Sequence, residues 1–337
     1  MKKLKPKVKD LAEKLGLSSA TVSLVLNGRP GISQETRQRV FDLVRELGHE
    51  DLIPSRSSAR TGSIRLVLYK KSGRIVTDTP FFSQLFDGIT VRCQKAGYAL
   101  SIHLFNGDAA TAAALTDCDG LILLATELEK ADLKPFEALR IPIVVLDSYF
   151  ENFRKDCVVI NNMQGAYDAT RYLVKKGHRR IGYLKSNVPI NNFHERFDGY
   201  RKALAVSDLA YDESLVFPLD PTTEGAGTSF AVPEASLLPT AFVADNDIIA
   251  IGAMQALAAA GYAIPQDVSI VGFDNMPMCT IVQPALTTIQ VPKQQLGLYA
   301  VDRLVQRIEE PADDFVKIEV GTQLIERASV RDLKAHR

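Results

Sequence analysis

From Ser63 onward the chain alternates continuous apolar runs of strand length with stretches patterned as helices, and this alternation limits the fold more than any other feature. The runs fall at 64–69, 98–105, 121–125, 143–146, 158–160, 181–184, 215–218, 241–244 and 268–273, with helical patterns at 84–96, 164–176, 194–205 and 247–260 between them. Unbroken apolar strands are buried on both faces, which requires parallel sheets with helices packed on each side. Nine to ten strands exceed what one such sheet needs, so two α/β lobes are expected. Residues 224–240 (EGAGTSFAVPEASLLPT) are punctuated by Gly, Ser and Pro, and a short or loose element is expected there.

The first 62 residues have a different texture. Val8, Leu11, Ala12 and Leu15 recur at the spacing of one helical face, and Gly16-Leu17-Ser18 breaks the helix, with Ser18 placed to cap a second. In that second helix Val22, Val25 and Leu26 face inward, leaving Ser19, Ala20, Thr21, Ser23 and Leu24 outside. Two short helices about a glycine-containing turn read as a helix-turn-helix, whose second helix enters the DNA major groove. An ordinary helical hairpin within a larger core satisfies the same pattern. A third helix over 35–47 follows, with Ser33 as its N-cap, Val40, Leu43, Val44 and Leu47 on one face, and Gly48 as its stop. Residues 49–62 (HEDLIPSRSSARTG) are a linker by composition, and Arg56 and Arg60 either lie along DNA or belong to a solvated tether.

The formal net charge is zero, but residues 1–62 hold 12 Lys and Arg against 7 Asp and Glu, while the remainder holds 28 against 33. A basic end on an acidic body is the asymmetry of a protein that meets phosphates at one end. Cys93, Cys118, Cys157 and Cys279 form neither a C-x-x-C pair nor a ligand set with His, so reduced thiols in a cytoplasmic setting and no metal are expected. There is no apolar h-region after the N-terminal lysines, and Asp245 and Asp247 interrupt the longest apolar run, so neither a secretory signal nor a membrane span is expected. No nucleophile elbow, phosphate loop, dinucleotide fingerprint or zinc-protease motif occurs, so neither catalysis nor a cofactor is expected.

Open α/β sheets bind ligands beyond the carboxyl ends of their strands. Asp147, Asn246, Asp247 and Asp274 stand at such ends. Asp247 reads best as the N-cap of the following helix, whereas Asn246 and Asp274 read as cleft residues.

The run KDLAEKLGLSSATVSLVLNG, followed by PFFSQLFDGI, GHRRIGYL, ERFDGYRKAL, FVADNDIIAIGAMQAL, VSIVGFDN and PALTTIQVPKQQLG, resembles the lactose/galactose-repressor family of bacterial transcription regulators, block by block and in order. The resemblance implies an all-α helix-turn-helix headpiece (1–48), a hinge (49–62), and a two-lobed α/β core like that of periplasmic sugar-binding proteins. Its first lobe would take 63–162 and 291–322, its second 163–290, with a C-terminal segment over 323–337. It implies a homodimer on a roughly palindromic double-stranded operator, gated by a small molecule in the cleft. A sugar suits the cleft's mix of groups; purine or nucleoside effectors also occur in the family.

By position, Ser19, Ala20 and Leu24 would read bases, while Ser18, Thr21, Ser23, Asn27, Ser33 and Thr36 would hold phosphates. Ala59 and Arg60 of the hinge would lie at the duplex. Phe81, Asp147, Arg196, Asn246 and Asp274 would meet the effector. Two departures stand out. Leu24 occupies a position where relatives often carry arginine, and it can offer a base only apolar contact. Ala59 precedes Arg60-Thr61-Gly62 where relatives often carry a leucine that wedges the minor groove, so little kinking of that kind is expected. A solute-binding receptor or a sugar-modifying enzyme on the same core is disfavoured by the headpiece and by the missing catalytic constellation.

Overall fold

The computed structural model describes residues 6–26, 32–49, 52, 62–72, 75–76, 81–105, 114–311 and 314–334. Three helices come first: α1 (Val8–Leu15), α2 (Ser19–Leu26) and α3 (Gln34–Glu46). Gly16 ends α1 in the left-handed region at φ 66°, where a side chain would be strained, and its N–H returns to the carbonyls of Ala12 and Glu13. Leu11, Ala12, Val22, Val25, Val40 and Val44 are buried together as the core of this unit.

The core of the protein follows in the order β1 (Gly62–Tyr69), α4 (Phe81–Ala96), β2 (Tyr98–Phe105), β3 (Gly120–Leu124), α5 (Lys134–Glu137), β4 (Ile143–Leu146) and β5 (Asp156–Ile160). Next come α6 (Asn162–Lys175), β6 (Ile181–Ser186), α7 (Asn191–Ala205), β7 (Val216–Leu219), α8 (Ala226–Ser229), β8 (Ala241–Ala244), α9 (Asp247–Ala259), β9 (Ser269–Asp274) and β10 (Thr287–Gln290). The chain closes with α10 (Lys293–Glu309), β11 (Lys317–Val320) and β12 (Gln323–Ile325).

Two six-stranded sheets result, ordered β11-β5-β4-β3-β1-β2 and β12-β10-β9-β8-β6-β7. Every pairing is parallel except that of β10 with β12. The central strands β3, β4, β5, β8 and β9 are buried at every position, as their continuous apolar sequence requires. Twelve strands are present among the described residues where nine to ten were legible. β10 begins with two threonines, and β11 and β12 are short, half-exposed and rich in polar residues, so their apolar signal is faint. The Gly/Ser/Pro-rich stretch yields only the four-residue α8.

The chain passes between sheets three times: after β5, between β10 and α10, and between β11 and β12. All three passages lie at the carboxyl ends of β5, β10 and β11, so these ends of the two sheets border one cleft. Close helix contacts brace each lobe. A Cβ at Gly88 of α4 would overlap the carbonyl of Gln294 in α10, one at Gly297 of α10 would overlap that of Leu85, and one at Gly199 of α7 would overlap that of Met163 in α6.

Candidate functional site

Two sites emerge, the first on the headpiece. Ser18 Oγ accepts from Thr21 N–H at 3.0 Å and lies 2.8 Å from Thr21 Oγ1. Ser33 repeats the arrangement at α3, accepting from Thr36 N–H at 3.3 Å with the two hydroxyls 2.9 Å apart. Both caps foreseen in the sequence are formed. Each places a pair of hydroxyls at a helix N-terminus, where unpaired backbone N–H groups favour a phosphate. Ser18, Ser19 and Ala20 are exposed, Leu24 is 39% exposed, and Thr21, Ser23 and Thr36 are half-buried. Asn27, Ala59 and Arg60 lie outside the described residues.

The second site is the cleft, centred on Arg196, which is 3% exposed on α7. Its Nε donates to Asn162 Oδ1 at 2.9 Å, and its Nη1 donates to the carbonyl of Asp245 at 2.6 Å. Its guanidinium carbon stands 3.8 Å above the centre of the Phe273 ring. Nη2 lies 3.1 Å from Asp274 Oδ1, close enough for an ion pair, yet no donor is aligned on that buried oxygen. Asp274 closes β9 with φ 106° and Asn275 follows at φ 50°, a left-handed pair that turns the chain at the cleft floor.

Asp147 follows β4 in the first lobe, also left-handed at φ 66°. Its Oδ2 accepts from Thr126 Oγ1 at 2.6 Å and its Oδ1 from Asn192 Nδ2 at 3.1 Å. Asn192 belongs to α7 of the second lobe, so this bond crosses the cleft. Asn191 makes a second crossing, donating to Ser148 Oγ at 2.9 Å. A third comes from Lys293 at the head of α10, whose ammonium donates to the carbonyl of Asp274 and stands 5.5 Å from the Phe81 ring centre. Phe81 is buried, with its ring edge-on to Phe82.

The helix-capping role read from sequence for Asp247 falls instead to Asn246. Asn246 is the N-cap of α9, accepting from Ile249 N–H at 2.9 Å. Asp247 points back into the lobe, where its Oδ2 accepts from Met276 N–H at 2.7 Å and its Oδ1 from the Thr288 hydroxyl. The physical reason is steric: Gly272 has no side chain, and a Cβ there would collide with Asp247 Oδ1, so β9 leaves room for the inward carboxylate. Asp245, fully buried, accepts from Tyr183 Oη and Ser186 N–H at 2.6 Å each.

Burial raises four acids in and behind the cleft floor, Asp147, Asp245, Asp247 and Asp274. It lifts Asp147 from the usual 3.8 to about 6, against the pull of Thr126 and Arg196. Asp245 rises to about 7, and Asp247 to about 7 with Asp274 adding to the push. Asp274 is raised by burial against Arg196 and Lys293, while burial lowers the Lys293 ammonium.

Arg196, Asp274 and Asp147 thus meet in one network, Phe81 joins it through Lys293, and Asn246 stands beside the Asp245 carbonyl that Arg196 holds. Thr126, Asn162, Asn192, Phe273 and Lys293 were not read from the sequence. Polar residues beside helix starts look like caps, and Phe273 looks like one more strand residue. The only available signal was the pair of Asn-Asn doublets, 161–162 and 191–192, each next to a helix start. Among the described residues no group of His, Cys, Asp and Glu is placed to hold a metal, and no helix is long and apolar enough to cross a membrane.

A helix-turn-helix unit ahead of a two-lobed cleft with a buried polar floor defines an effector-gated DNA-binding regulator. Residues 7–50 match the model of bacterial regulatory proteins of the lacI family, and residues 170–330 match a periplasmic binding protein-like domain. The ribose operon repressor of Haemophilus influenzae is 33% identical over 97% of this chain and 99% of that protein. The transcriptional repressor PurR of Edwardsiella ictaluri is 33% identical over 96% and 97%. A lacI-family regulator from Enterococcus faecium, solved with bound ribose, superposes with a TM-score of 0.68 at 28% identity over 80% of this chain and 99% of that one. The chain belongs to the lacI family of bacterial regulatory proteins. It is a DNA-binding transcriptional repressor controlled by a small molecule, and not an enzyme.

Proposed function

We propose that this repressor works in the cytoplasm as a homodimer, reads a palindromic operator with one headpiece per half-site, and takes a sugar of the ribose class into the cleft. One observation carries the choice of ligand. Asp274 Oδ1 is a buried acceptor with no aligned donor, 3.1 Å from an arginine Nη2. A sugar hydroxyl serves both at once, donating to the carboxylate and accepting from the guanidinium, and a vicinal diol extends the pattern to its neighbour. The ribose operon repressor of Haemophilus influenzae and the ribose-bound Enterococcus regulator support the same class. On this reading Phe81, Asp147, Arg196, Asn246 and Asp274 surround the effector.

On the duplex, Ser19, Ala20 and Leu24 face the bases, with Leu24 against a thymine methyl. Ser18, Thr21, Ser23, Asn27, Ser33 and Thr36 grip phosphates. Ala59 and Arg60 lie in the hinge, where alanine leaves the minor groove largely unwedged; Ala59→Leu increases DNA bending on this account.

The test is a thermal-shift panel of pentoses, hexoses, phosphosugars and purine bases, since ligand at 100 times its dissociation constant adds about 2.7 kcal/mol of stability. A ribose-class shift that Asp274→Ala abolishes is expected. A shift with a purine alone favours the PurR-like reading, to which the equal 33% identity gives weight. Sedimentation of the free protein and a gel shift on palindromic DNA check the dimer, and a monomer that binds one half-site refutes it.

A further inference from the structure

The parallel order of the first sheet puts the amino ends of its strands at one end of the lobe. Ile64 pairs with Gly120, Leu121 with Ile143 and Val144 with Asp156. The chain enters β1 at Gly62 from the hinge, so this end is the one joined directly to the DNA-binding segment. Just before β4 stands Arg140, and just before β5 stand Arg154 and Lys155. Arg140 and Arg154 are exposed and Lys155 is half-buried.

The acid in their midst is already spent. Asp156, 1% exposed, accepts from Arg307 at 2.8 and 2.9 Å, from Arg303 at 3.1 Å and from Val316 N–H at 2.7 Å. One carboxylate between two guanidiniums leaves a net positive charge at the base of β5. Arg154 lies 5.6 Å from the centre of the Phe315 ring rather than beside an acid. No ion pair joins Arg140, Arg154 or Lys155 to an acid among the described residues. Burial lowers the Lys155 ammonium, and the charges that add to that effect, Arg307 and Arg140, are both cations. The cluster therefore repels itself in the folded protein, and an arriving anion relieves the repulsion.

We propose that Arg140, Arg154 and Lys155 form an accessory contact for DNA backbone phosphates flanking the operator, so that the core as well as the headpiece holds the duplex. The free charge, its exposure and its place at the end joined to the hinge together favour this occupant. The contact carries no base readout and adds affinity on long DNA only.

The experiment uses the full chain and an operator selected from a randomised palindromic pool. The operator is placed in one fragment ending at its edges and in another extended by about two helical turns on each side. Wild type should bind the longer fragment more tightly, with a steeper salt dependence. The triple variant Arg140→Gln, Arg154→Gln, Lys155→Gln should lose that gain, its log–log salt slope becoming shallower by about 2 to 3 per protomer at roughly 0.9 per phosphate. Binding to the short fragment and the sugar-induced thermal shift should be unchanged, which separates this contact from the headpiece and the cleft. The swap Arg140→Lys, Arg154→Lys, Lys155→Arg should keep the gain. Equal wild-type slopes on both fragments overturn the proposal without any variant. So does a patch that captures a phosphorylated or acidic protein while leaving DNA binding untouched.

Discussion

Asp245, Asn246 and Asp247 are consecutive, and each serves a different element. Asp245 ties β8 to the end of β6, Asn246 caps α9, and Asp247 holds the turn after β9 against β10. Sequence alone shows three polar residues at a strand end and cannot tell which faces the cleft, because the choice depends on room that Gly272 makes on a neighbouring strand. Arg196 shows the opposite limit: one side chain fixed by Asn162, Asp245, Asp274 and Phe273. Arg196→Ala leaves the Asp274 carboxylate buried without its partner, and denaturant melts should show a loss of about 3–5 kcal/mol.

The acids set a pH dependence. Asp147, Asp245 and Asp247 stand at about 6, 7 and 7 in the folded protein, above the ordinary 3.8. The folded state therefore holds more protons than the unfolded one between these values, and their contribution to stability is lost as pH rises through 6 to 7. His178, lowered by burial, acts with the opposite sign below its usual 6.5. Asp247→Asn removes one of the three carboxylates, so the fall in melting temperature between about pH 5 and about pH 8 should be smaller than in wild type. An unchanged fall would show that Asp247 titrates like an exposed aspartate.

Among elements, the buried strands and the capped helices were the legible ones. The apolar runs of β3, β4, β8 and β9 are buried throughout, whereas β2, at the edge of its sheet, leaves Ile102 and Leu104 exposed; Ser18 and Ser33 carry the local hydrogen bonds that start α2 and α3. Ser18→Ala should cost about 1 kcal/mol. In a unit with six buried apolar side chains among its described residues that is a large fraction, and it should appear as weaker operator binding with an unaltered core melt. The edge strands β11 and β12 were not legible, because their identity comes from pairing partners far away in sequence. The α4–α10 contact was equally hidden, since Gly88 and Gly297 look like ordinary interruptions until the two helices meet. Gly88→Ala forces a Cβ onto a backbone carbonyl that cannot rotate away. It should destabilise the protein by about 1–3 kcal/mol, read as a shift in the denaturation midpoint.

At the scale of the molecule, the cleft is bridged by hydrogen bonds between opposite lobes: Asn192 to Asp147, Asn191 to Ser148, and Lys293 to the carbonyl of Asp274. A small molecule that binds between the lobes changes operator affinity only by preferring one lobe arrangement over another. Asn192→Ala removes one of the bonds that join the two lobes across the cleft. Effector affinity should fall roughly 2- to 10-fold, as expected for one buried hydrogen bond, and calorimetry should show it. The family resemblance placed five side chains around this cleft, but the partners that hold them were silent because each lies on a separate element.

The three passages between sheets also bear on how the protein is made. The first lobe is unfinished until α10 and β11 have left the ribosome, although α4 and β5 emerge about 210 and 160 residues earlier, respectively. Through that interval the second lobe's strands appear while the α4 surface and one edge of β5 still wait for α10 and β11. Long-range closure of this kind is slow and leaves apolar surface uncovered in the meantime. A chain stopped before α10 has the complete headpiece and almost all the residues of the cleft, yet it lacks the helix and strand that complete its first lobe.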